Sequence, residues 1–278
     1  MSNKAMSLKA KIRNLAKKNN ISAQVVLQNY MFERFLERIS KSKFKDKFIL
    51  KGGMLVAAIV GLDSRATMDM DATLRGYPLQ KDKLFEALSY ICGIDVKDEV
   101  SFSVLNIAPI RDDDAYGGFR ASIEAIYDTI ITPMQIDITT GDVITPSEIL
   151  YQFKMIFEDR KIEVWAYNIE TVLAEKYETI LRRDVFNTRP RDYYDTYILL
   201  KTQNCNKALF KKALQATATH RKSTDIIENA TTIIQTIEQN NALIKLWSKY
   251  QKEYNYAVDI SFQNIIDVLR ELDIWSKQ

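Results

Sequence analysis

The chain has 278 residues, of which 46% are hydrophobic and 27% are charged, and its formal net charge is +3. This composition is typical of a globular protein with a substantial core, and it excludes a chain that is polycationic as a whole. No apolar run reaches the roughly 18 residues of a membrane span. Because Cys92 and Cys205 have no metal-ligand spacing and the basic N-terminus lacks an apolar continuation, we expect a cytoplasmic protein without a signal peptide.

The first half of the chain predicts alternating helices and strands. A basic helix is expected over residues 5–19, and Ser22 is a candidate N-cap for a second helix. An apolar segment leads into the diglycine Gly52-Gly53, and residues 54–60 predict a short buried helix that ends at Gly61. Further elements follow in chain order: a strand over 67–74, a helix over 84–91, strands over 102–110, 120–127 and 134–139, and a hairpin loop at 111–114 and 116–118.

Beyond about residue 150 the sequence predicts helices, which are expected over 169–183, 191–202, 206–218, 223–248 and 261–276. We therefore predict an α+β (α/β) protein with two domains. Residues 1–150 form the α/β domain with its N-terminal helices, and residues 151–278 form a helical domain.

The strongest chemical signal is the diglycine followed by Asp69-Met70-Asp71. Glycines allow backbone N–H groups to approach a phosphate closely. Residues two apart in a strand point to the same side, so the two carboxylates converge, and Mg²⁺ is their usual counter-ion. Arg65 and Thr67 precede this pair and are candidates for phosphate contacts, although surface roles fit them equally well.

Asp137 is a third candidate ligand, because it occupies the polar side of the predicted strand 134–139. Three carboxylates from neighbouring strands are able to hold two Mg²⁺ ions. A solvent-facing acid on a one-sided sheet explains Asp137 equally simply.

Charged residues also interrupt the apolar stripes of two helices in the second half. Lys176 lies on the stripe of helix 169–183, where it needs an anion or must extend to solvent. Asp192 and Asp195 share a face with Leu199 and are candidates to pair with Lys176 or to orient a nucleotide. The alternative for Asp192 is a first-turn acid that favours the helix dipole.

Other site chemistries are excluded or disfavoured. His220 is the single histidine, which disfavours Ser-His-Asp catalysis and excludes a multi-histidine zinc site. Neither a P-loop nor a G-x-G-x-x-G motif is present. Two acid-free basic stretches, residues 1–32 and 196–224, suit a polyanion such as RNA, and solvated helix faces are the simpler alternative.

These residues together resemble the AbiEii/AbiGii toxin family, a branch of the nucleotidyltransferase-like superfamily. The resemblance extends from about residue 48 to 200, through Lys51-Gly52-Gly53, the D-x-D, Asp137, Lys176 and the sequence R-D-Y-Y-D at 191–195. It implies a polymerase-β-like nucleotidyltransferase domain with a mixed sheet, followed by a helical domain that contributes Lys176 and Asp192 to the site. Met54 departs from the wider superfamily, in which Ser or Thr is frequent.

The resemblance implies a toxin of a toxin–antitoxin or phage-defence pair, which uses Mg²⁺ and an NTP to add nucleotides to tRNA acceptor ends. A cognate antitoxin is expected genetically, but it need not bind the toxin. The implied catalytic residues are Asp69, Asp71, Lys176 and Asp192. The implied nucleotide-binding residues are Lys51, Gly52, Gly53, Arg65, Thr67 and Asp195. The implied metal ligands are Asp69, Asp71 and Asp137, and a reduced metal set without Asp137 stays open.

Two other functions stay open from the sequence alone. The same site could transfer a nucleotide or a phosphate to a protein. A degenerate site could bind nucleotide without turnover and act as a regulatory module.

Overall fold

The structure is a computed structural model, and it describes residues 2–110 and 117–278. The predicted loop residues 111–114 and Tyr116 lie outside the described residues. The chain divides into two units, of which the first comprises residues up to Asp142 together with Ile149–Ala166, and the second comprises Val143–Glu148 and Tyr167–Gln278.

The first unit contains a seven-stranded mixed sheet in the order β3-β4-β5-β2-β1-β7-β6. The β2–β5 and β1–β7 pairs are parallel, and the other neighbours are antiparallel. The predicted mixed sheet is therefore confirmed. Its strands are β1 (Phe48–Lys51), β2 (Met70–Leu74), β3 (Val100–Pro109), β4 (Phe119–Tyr127), β5 (Ile130–Thr140), β6 (Ile149–Lys154) and β7 (Lys161–Ala166).

Four helices accompany this sheet: α1 (Asn3–Asn19), α2 (Ala23–Lys41), α3 (Gly52–Val60) and α4 (Lys81–Cys92). The predicted cap of α2 is confirmed, because the Ser22 hydroxyl accepts the Val25 N–H at 3.2 Å. The helix buries Phe32, Phe35 and Leu36 in the core. Its Asn29 amide donates to the Thr67 carbonyl oxygen at 2.8 Å, which ties α2 to the segment that leads into the D-x-D.

The second unit is helical. Its elements are α5 (Ile169–Arg183), α6 (Pro190–Thr202), α7 (Lys207–Arg221), α8 (Thr224–Glu228), α9 (Ala230–Gln239), α10 (Asn241–Glu253) and α11 (Phe262–Lys277), with short 3₁₀ turns at Asp184–Phe186 and Asn255–Ala257. The core contains Leu173, Tyr177, Phe210 and Leu269, all of which are fully buried. None of the helices in the described part of the chain has the length and apolar character that a membrane span requires.

Two sequence predictions need correction. The expected helix over 223–248 is broken into α8, α9 and α10, because Asn229 and Asn240 act as caps between the segments. The boundary near residue 150 also moves. The hairpin of β6 and β7 belongs to the first unit, since β7 pairs with β1 through Leu50 and Ala166.

Candidate active site

Four charged residues lie in register across neighbouring strands of the first unit. Lys51 on β1 is opposite Asp71 on β2, Asp71 is opposite Asp137 on β5, and Asp137 is opposite Arg120 on β4. Residues that are directly opposite in a sheet project to the same face with Cβ atoms roughly 5 Å apart. The register thus places two acids side by side between two cations.

The diglycine contacts Asp71 directly. Gly52 begins α3 with a φ of +66°, and a Cβ atom at this residue would lie 2.6 Å from Asp71 Cγ. The Gly53 N–H is 3.4 Å from Asp71 Oδ2. The absence of a side chain at Gly52 therefore lets the Asp71 carboxylate lie against the first turn of α3, where backbone N–H groups point outward.

Arg65 and Thr67 lie beside Gly53. A Cβ atom at Gly53 would be 3.0 Å from both Arg65 Nη2 and Thr67 Oγ1. Both residues are buried. The structure thus brings these two predicted phosphate ligands together with the glycine turn, and their burial argues against simple surface roles.

Asp69 precedes β2, which begins at Met70 and not at Thr67 as predicted. Its carbonyl oxygen accepts the Thr67 hydroxyl at 3.2 Å, and its side chain is exposed. The hydrogen bond with Asp137 raises the pKa of Arg120 above its ordinary value, and the charges of Asp69 and Asp71 raise it further. The D-x-D acids are therefore close enough to Arg120 to interact with it electrostatically.

Asp137 makes an ion pair with Arg120, a residue that the sequence reasoning did not identify. Arg120 Nε lies 2.7 Å from Asp137 Oδ1, and Nη2 lies 2.7 Å from Oδ2. The simple reading of Asp137 as a solvent-facing acid is insufficient, because both of its oxygens are engaged. Arg120 stood at the start of a predicted strand, but only the β4–β5 register shows which acid it faces.

Lys51 makes an ion pair with Asp142, which the sequence reasoning also missed. The Lys51 ammonium lies 2.6 Å from Asp142 Oδ2, and Thr139 Oγ1 lies 2.8 Å from the same oxygen. Burial raises the pKa of Asp142, but the charge and hydrogen bond of Lys51 outweigh burial and lower it to about 2. Lys51 is therefore held at the edge of the diglycine by an ionised partner.

The second unit brings Lys176, Asp192 and Asp195 together. The Lys176 ammonium is 2.7 Å from Asp192 Oδ1 and 2.9 Å from Asp195 Oδ2. Arg189 is the N-cap of α6, and Asp192 lies in the first turn, as the helix-dipole alternative expects. Its Oδ2 is nevertheless buried without a hydrogen-bond partner. That these three residues serve the same site as the D-x-D stays a prediction.

A divalent metal fits two of the three predicted carboxylates best. Within residues 2–110 and 117–278, no three His, Cys, Asp or Glu side chains assemble a ready metal site. Mg²⁺ commonly binds through one or two carboxylates, substrate phosphates and water. Asp71 beside the glycine turn of α3, together with the exposed Asp69 two residues before it, fits this mode of binding. Metal binding by Asp137 stays a prediction.

Comparison with solved structures gives distant similarities. A candidate nucleotidyltransferase from H. pylori is 14% identical, with a TM-score of 0.47 over 92% of this chain and 95% of that chain. JHP933 from Helicobacter pylori is 14% identical, with a TM-score of 0.45 over 92% and 91% of the two chains. An antigenic nucleotidyltransferase-like protein from Paracoccidioides brasiliensis is 11% identical, with a TM-score of 0.42 over 71% and 90%. A search among curated proteins gives no match.

A family model gives the decisive comparison. The model described as "Nucleotidyl transferase AbiEii toxin, Type IV TA system" matches residues 34–268, which is most of the chain. The resemblance that the motifs indicated over residues 48–200 is confirmed and extended by this match. The chain therefore belongs to the AbiEii family, the nucleotidyl transferase toxins of type IV toxin–antitoxin systems.

Proposed function

We propose that this chain is a Mg²⁺-dependent nucleotidyltransferase that transfers a nucleotide from an NTP to RNA, with the 3′ acceptor end of tRNA as the acceptor. Modified tRNA would block translation, which would give growth arrest or abortive infection. The observation that carries the proposal is the packing of Asp71, the second acid of the D-x-D, against Gly52 and Gly53 in the turn that opens α3.

The residues of this turn have the properties of a triphosphate site. Backbone N–H groups in the first turn of α3 and the guanidinium of Arg65 are able to bind phosphate oxygens. The Thr67 hydroxyl lies beside the same glycine. Asp69 and Asp71 would hold Mg²⁺, which when bound would neutralise phosphate charge and favour the ionised acceptor hydroxyl.

The proposed reaction is an in-line displacement at the α-phosphorus atom. A bond forms between the RNA 3′ oxygen and the α-phosphorus, the bond to the β-phosphate oxygen breaks, and pyrophosphate leaves. The hydroxyl proton is lost to solvent. The protein contributes mainly positioning and a fixed electrostatic environment for the transferring group.

Basic side chains in each unit support an RNA acceptor. In the second unit, Lys207, Lys211 and Lys212 line a cavity of about 360 Å³ that also contains Trp275. The Lys207 ammonium is 5.1 Å from the centre of the Trp275 ring. In the first unit, α1 is basic throughout and ends with Lys17 and Lys18. Lysines beside an aromatic ring are a common arrangement for binding nucleic-acid strands.

A labelling reaction tests the proposal. The purified protein is incubated with total cellular RNA, Mg²⁺ and each of the four α-³²P-labelled NTPs in turn. We expect label in a tRNA-sized band with the unmodified protein and none with Asp69→Ala/Asp71→Ala. The matched control is Asp82→Ala/Glu86→Ala on the exposed side of α4, which should label normally.

Other outcomes of the labelling reaction would indicate a different function. Label in a protein band, with a mass increase that equals a nucleotidyl or phosphoryl group, would replace RNA by a protein acceptor. Calorimetric NTP binding without label in any acceptor would favour a regulatory nucleotide-binding module. Equal labelling by the D-x-D variant and the control would show that this site does not perform the reaction.

A further inference from the structure

The Arg120–Asp137 pair is bidentate. Two parallel hydrogen bonds of 2.7 Å join Nε and Nη2 to the two carboxylate oxygens. Such two-pronged pairs are the strong, orientation-fixing form of the arginine–carboxylate interaction. The guanidinium of Arg120 does not deprotonate in proteins, so this side of the pair keeps its charge.

Asp69 and Asp137 differ in what a metal ion would meet at each carboxylate. Asp69 is exposed, and the hydrogen bond that it accepts from the Thr67 hydroxyl goes to its backbone oxygen and not to its carboxylate. At Asp137, each oxygen already accepts a hydrogen bond from Arg120, so a bound cation would have to share the carboxylate with a guanidinium beside its own charge. Like charges in close contact repel, so metal binding is favoured at the D-x-D over Asp137.

Arg120 retains donors that Asp137 does not use. A guanidinium has five N–H donors, and the pair occupies one at Nε and one at Nη2. The Arg120 side chain is 45% exposed, whereas Asp137 is 21% exposed. Its charge interacts with those of Asp69 and Asp71. The remaining donors are therefore accessible to a solvent-borne anion beside the D-x-D.

On the basis of the proposed nucleotidyltransferase function, we propose that Arg120 is a phosphate-binding residue of this site and that Asp137 anchors it instead of binding the metal. Asp137 fixes the plane of the guanidinium through its two oxygens. Arg120 then presents its outer N–H groups to the triphosphate of the NTP. The metal ligands supplied by the protein are Asp69 and Asp71.

Metal binding alone gives the first test. Mn²⁺ affinity is measured by electron paramagnetic resonance on the purified protein, without RNA or nucleotide. We expect Asp71→Asn to weaken Mn²⁺ binding about tenfold or more, because a direct ligand is lost. Asp137→Asn should lose clearly less affinity, about threefold or below, since it removes a neighbouring charge but no ligand.

Nucleotide binding gives the second test. Non-hydrolysable analogues of the four NTPs are titrated calorimetrically in the presence of Mg²⁺. Arg120→Ala and Arg120→Lys should each weaken binding at least about tenfold, because a charge-assisted pair of hydrogen bonds is lost. Asp137→Asn should weaken nucleotide binding by about threefold to tenfold through loss of orientation, while its loss of Mn²⁺ affinity stays well below that of Asp71→Asn.

Arg160 provides a matched control in the same unit. Its guanidinium also makes a bidentate pair with a carboxylate, in which Nη1 and Nη2 donate to the two Glu37 oxygens at 2.9 and 2.8 Å. The Arg160 side chain is 41% exposed. Arg160→Ala should leave both Mn²⁺ and nucleotide affinities within about twofold, since the lost charge is only a screened, long-range one. Thermal unfolding of every variant separates loss of binding from loss of fold.

Three results overturn the inference. If Asp137→Asn loses Mn²⁺ affinity as strongly as Asp71→Asn, Asp137 is a metal ligand. If Arg120→Ala binds nucleotide as Arg160→Ala does, the pair has a structural role. If the unmodified protein binds neither Mn²⁺ nor any analogue, both this inference and the proposed function fail, whereas the first two results leave the proposed function intact.

Discussion

Gly52 is the residue at which the backbone and the site depend on each other most directly. Its φ of +66° is a conformation that L side chains rarely adopt, and a Cβ atom would lie 2.6 Å from Asp71 Cγ. Gly52→Ala should therefore destabilise the protein by about 2–4 kcal/mol, through backbone strain and displacement of Asp71. Transferase activity should fall with it, because Asp71 moves away from the turn of α3.

Substitution of Gly141 separates the cost of backbone strain from the cost of displacing Asp71. It also has a positive φ, +81°, but no atom lies within 4 Å of the position of its Cβ. Gly141→Ala should cost about 1–2 kcal/mol for backbone strain alone. Urea unfolding of both variants measures the difference. Equal destabilisation would mean that the Asp71 contact at Gly52 relaxes without cost.

At the scale of elements, packing of α5 against α6 explains why Lys176 lies on the apolar stripe of α5. Asp195 is fully buried and Asp192 nearly so, and the Lys176 ammonium makes an ion pair with each of them. Lys176→Met should destabilise the protein by about 3–5 kcal/mol, because two buried acids lose their cation. The triple variant Lys176→Met/Asp192→Asn/Asp195→Asn should recover most of that stability. If the predicted catalytic role of these residues holds, the triple variant folds but labels no RNA.

The exposed pair of Lys201 and Glu271 is the matched control for this element. The ammonium and carboxylate are 3.2 Å apart, and the side chains are 47% and 40% exposed. Lys201→Met should change the free energy of unfolding by less than about 1 kcal/mol. Urea denaturation compares the two lysine variants. A similar cost for both would show that burial adds nothing to the α5–α6 pair.

Helix α5 and strands β2, β4 and β5 show which features of the fold the sequence predicts and which it does not. Periodicity predicted the bounds of α5 as residues 169–183, and those bounds are confirmed. Alternation placed Asp71 and Asp137 on strands, because period-two patterns survive in single strands. Strand register depends on pairing between distant segments. The partnership of Arg120 with Asp137 was therefore invisible until β4 and β5 were paired.

The hairpin of β6 and β7 escaped prediction although its sequence carries strand signals. Ile162, Val164 and Ala166 are buried and alternate with Glu163 and Trp165. Gln152 and Glu163 pair at 2.7 Å across the two strands. Alternation alone does not reveal that β7 joins the sheet, because its parallel partner β1 is distant in sequence.

For the whole molecule, buried acids of the first unit set the pH dependence of stability. Burial raises the pKa of Glu33 to about 7, although Arg34 and the Ile156 N–H oppose it. The folded state then binds this proton more tightly than the unfolded state does. The stabilisation from neutral Glu33 is present below about pH 4.5 and is lost as the pH rises through 7.

Glu37 and Asp142 act in the opposite direction. Burial raises their pKa values, but hydrogen bonds and charges from Arg160 and Lys41, or from Lys51, lower both to about 2. Their stabilisation is present above pH 4.5 and is lost as the pH falls through 2. Urea unfolding between pH 5 and 7 should therefore show stability that falls with pH. Glu33→Gln should flatten this slope, while exposed Glu86→Gln should not.

Charge distribution is the second whole-molecule property, because a net charge of only +3 hides two lysine-rich surfaces. Each lysine that contacts an RNA phosphate releases counter-ions, so the slope of log affinity against log salt counts such contacts, at about 0.7–0.9 per phosphate. Changing Lys9, Lys11, Lys17 and Lys18 to Gln should reduce the slope by about 3 if all four contact phosphate. Lys207→Gln/Lys211→Gln/Lys212→Gln should reduce it by about 2.

Lysines on α10 show whether these contacts are local. Lys245, Lys249 and Lys252 are exposed and lie in the second unit, as the α7 lysines do, so their replacement by Gln removes the same charge. Fluorescence anisotropy of a labelled RNA, titrated with each variant at several salt concentrations between about 50 and 300 mM, measures every slope. If RNA follows defined surfaces, the α10 variant keeps the slope of the unmodified protein while the α1 and α7 variants lose it. Equal losses from α7 and α10 would mean that RNA responds to total charge, and the cavity beside Trp275 would lose its assignment as an RNA contact.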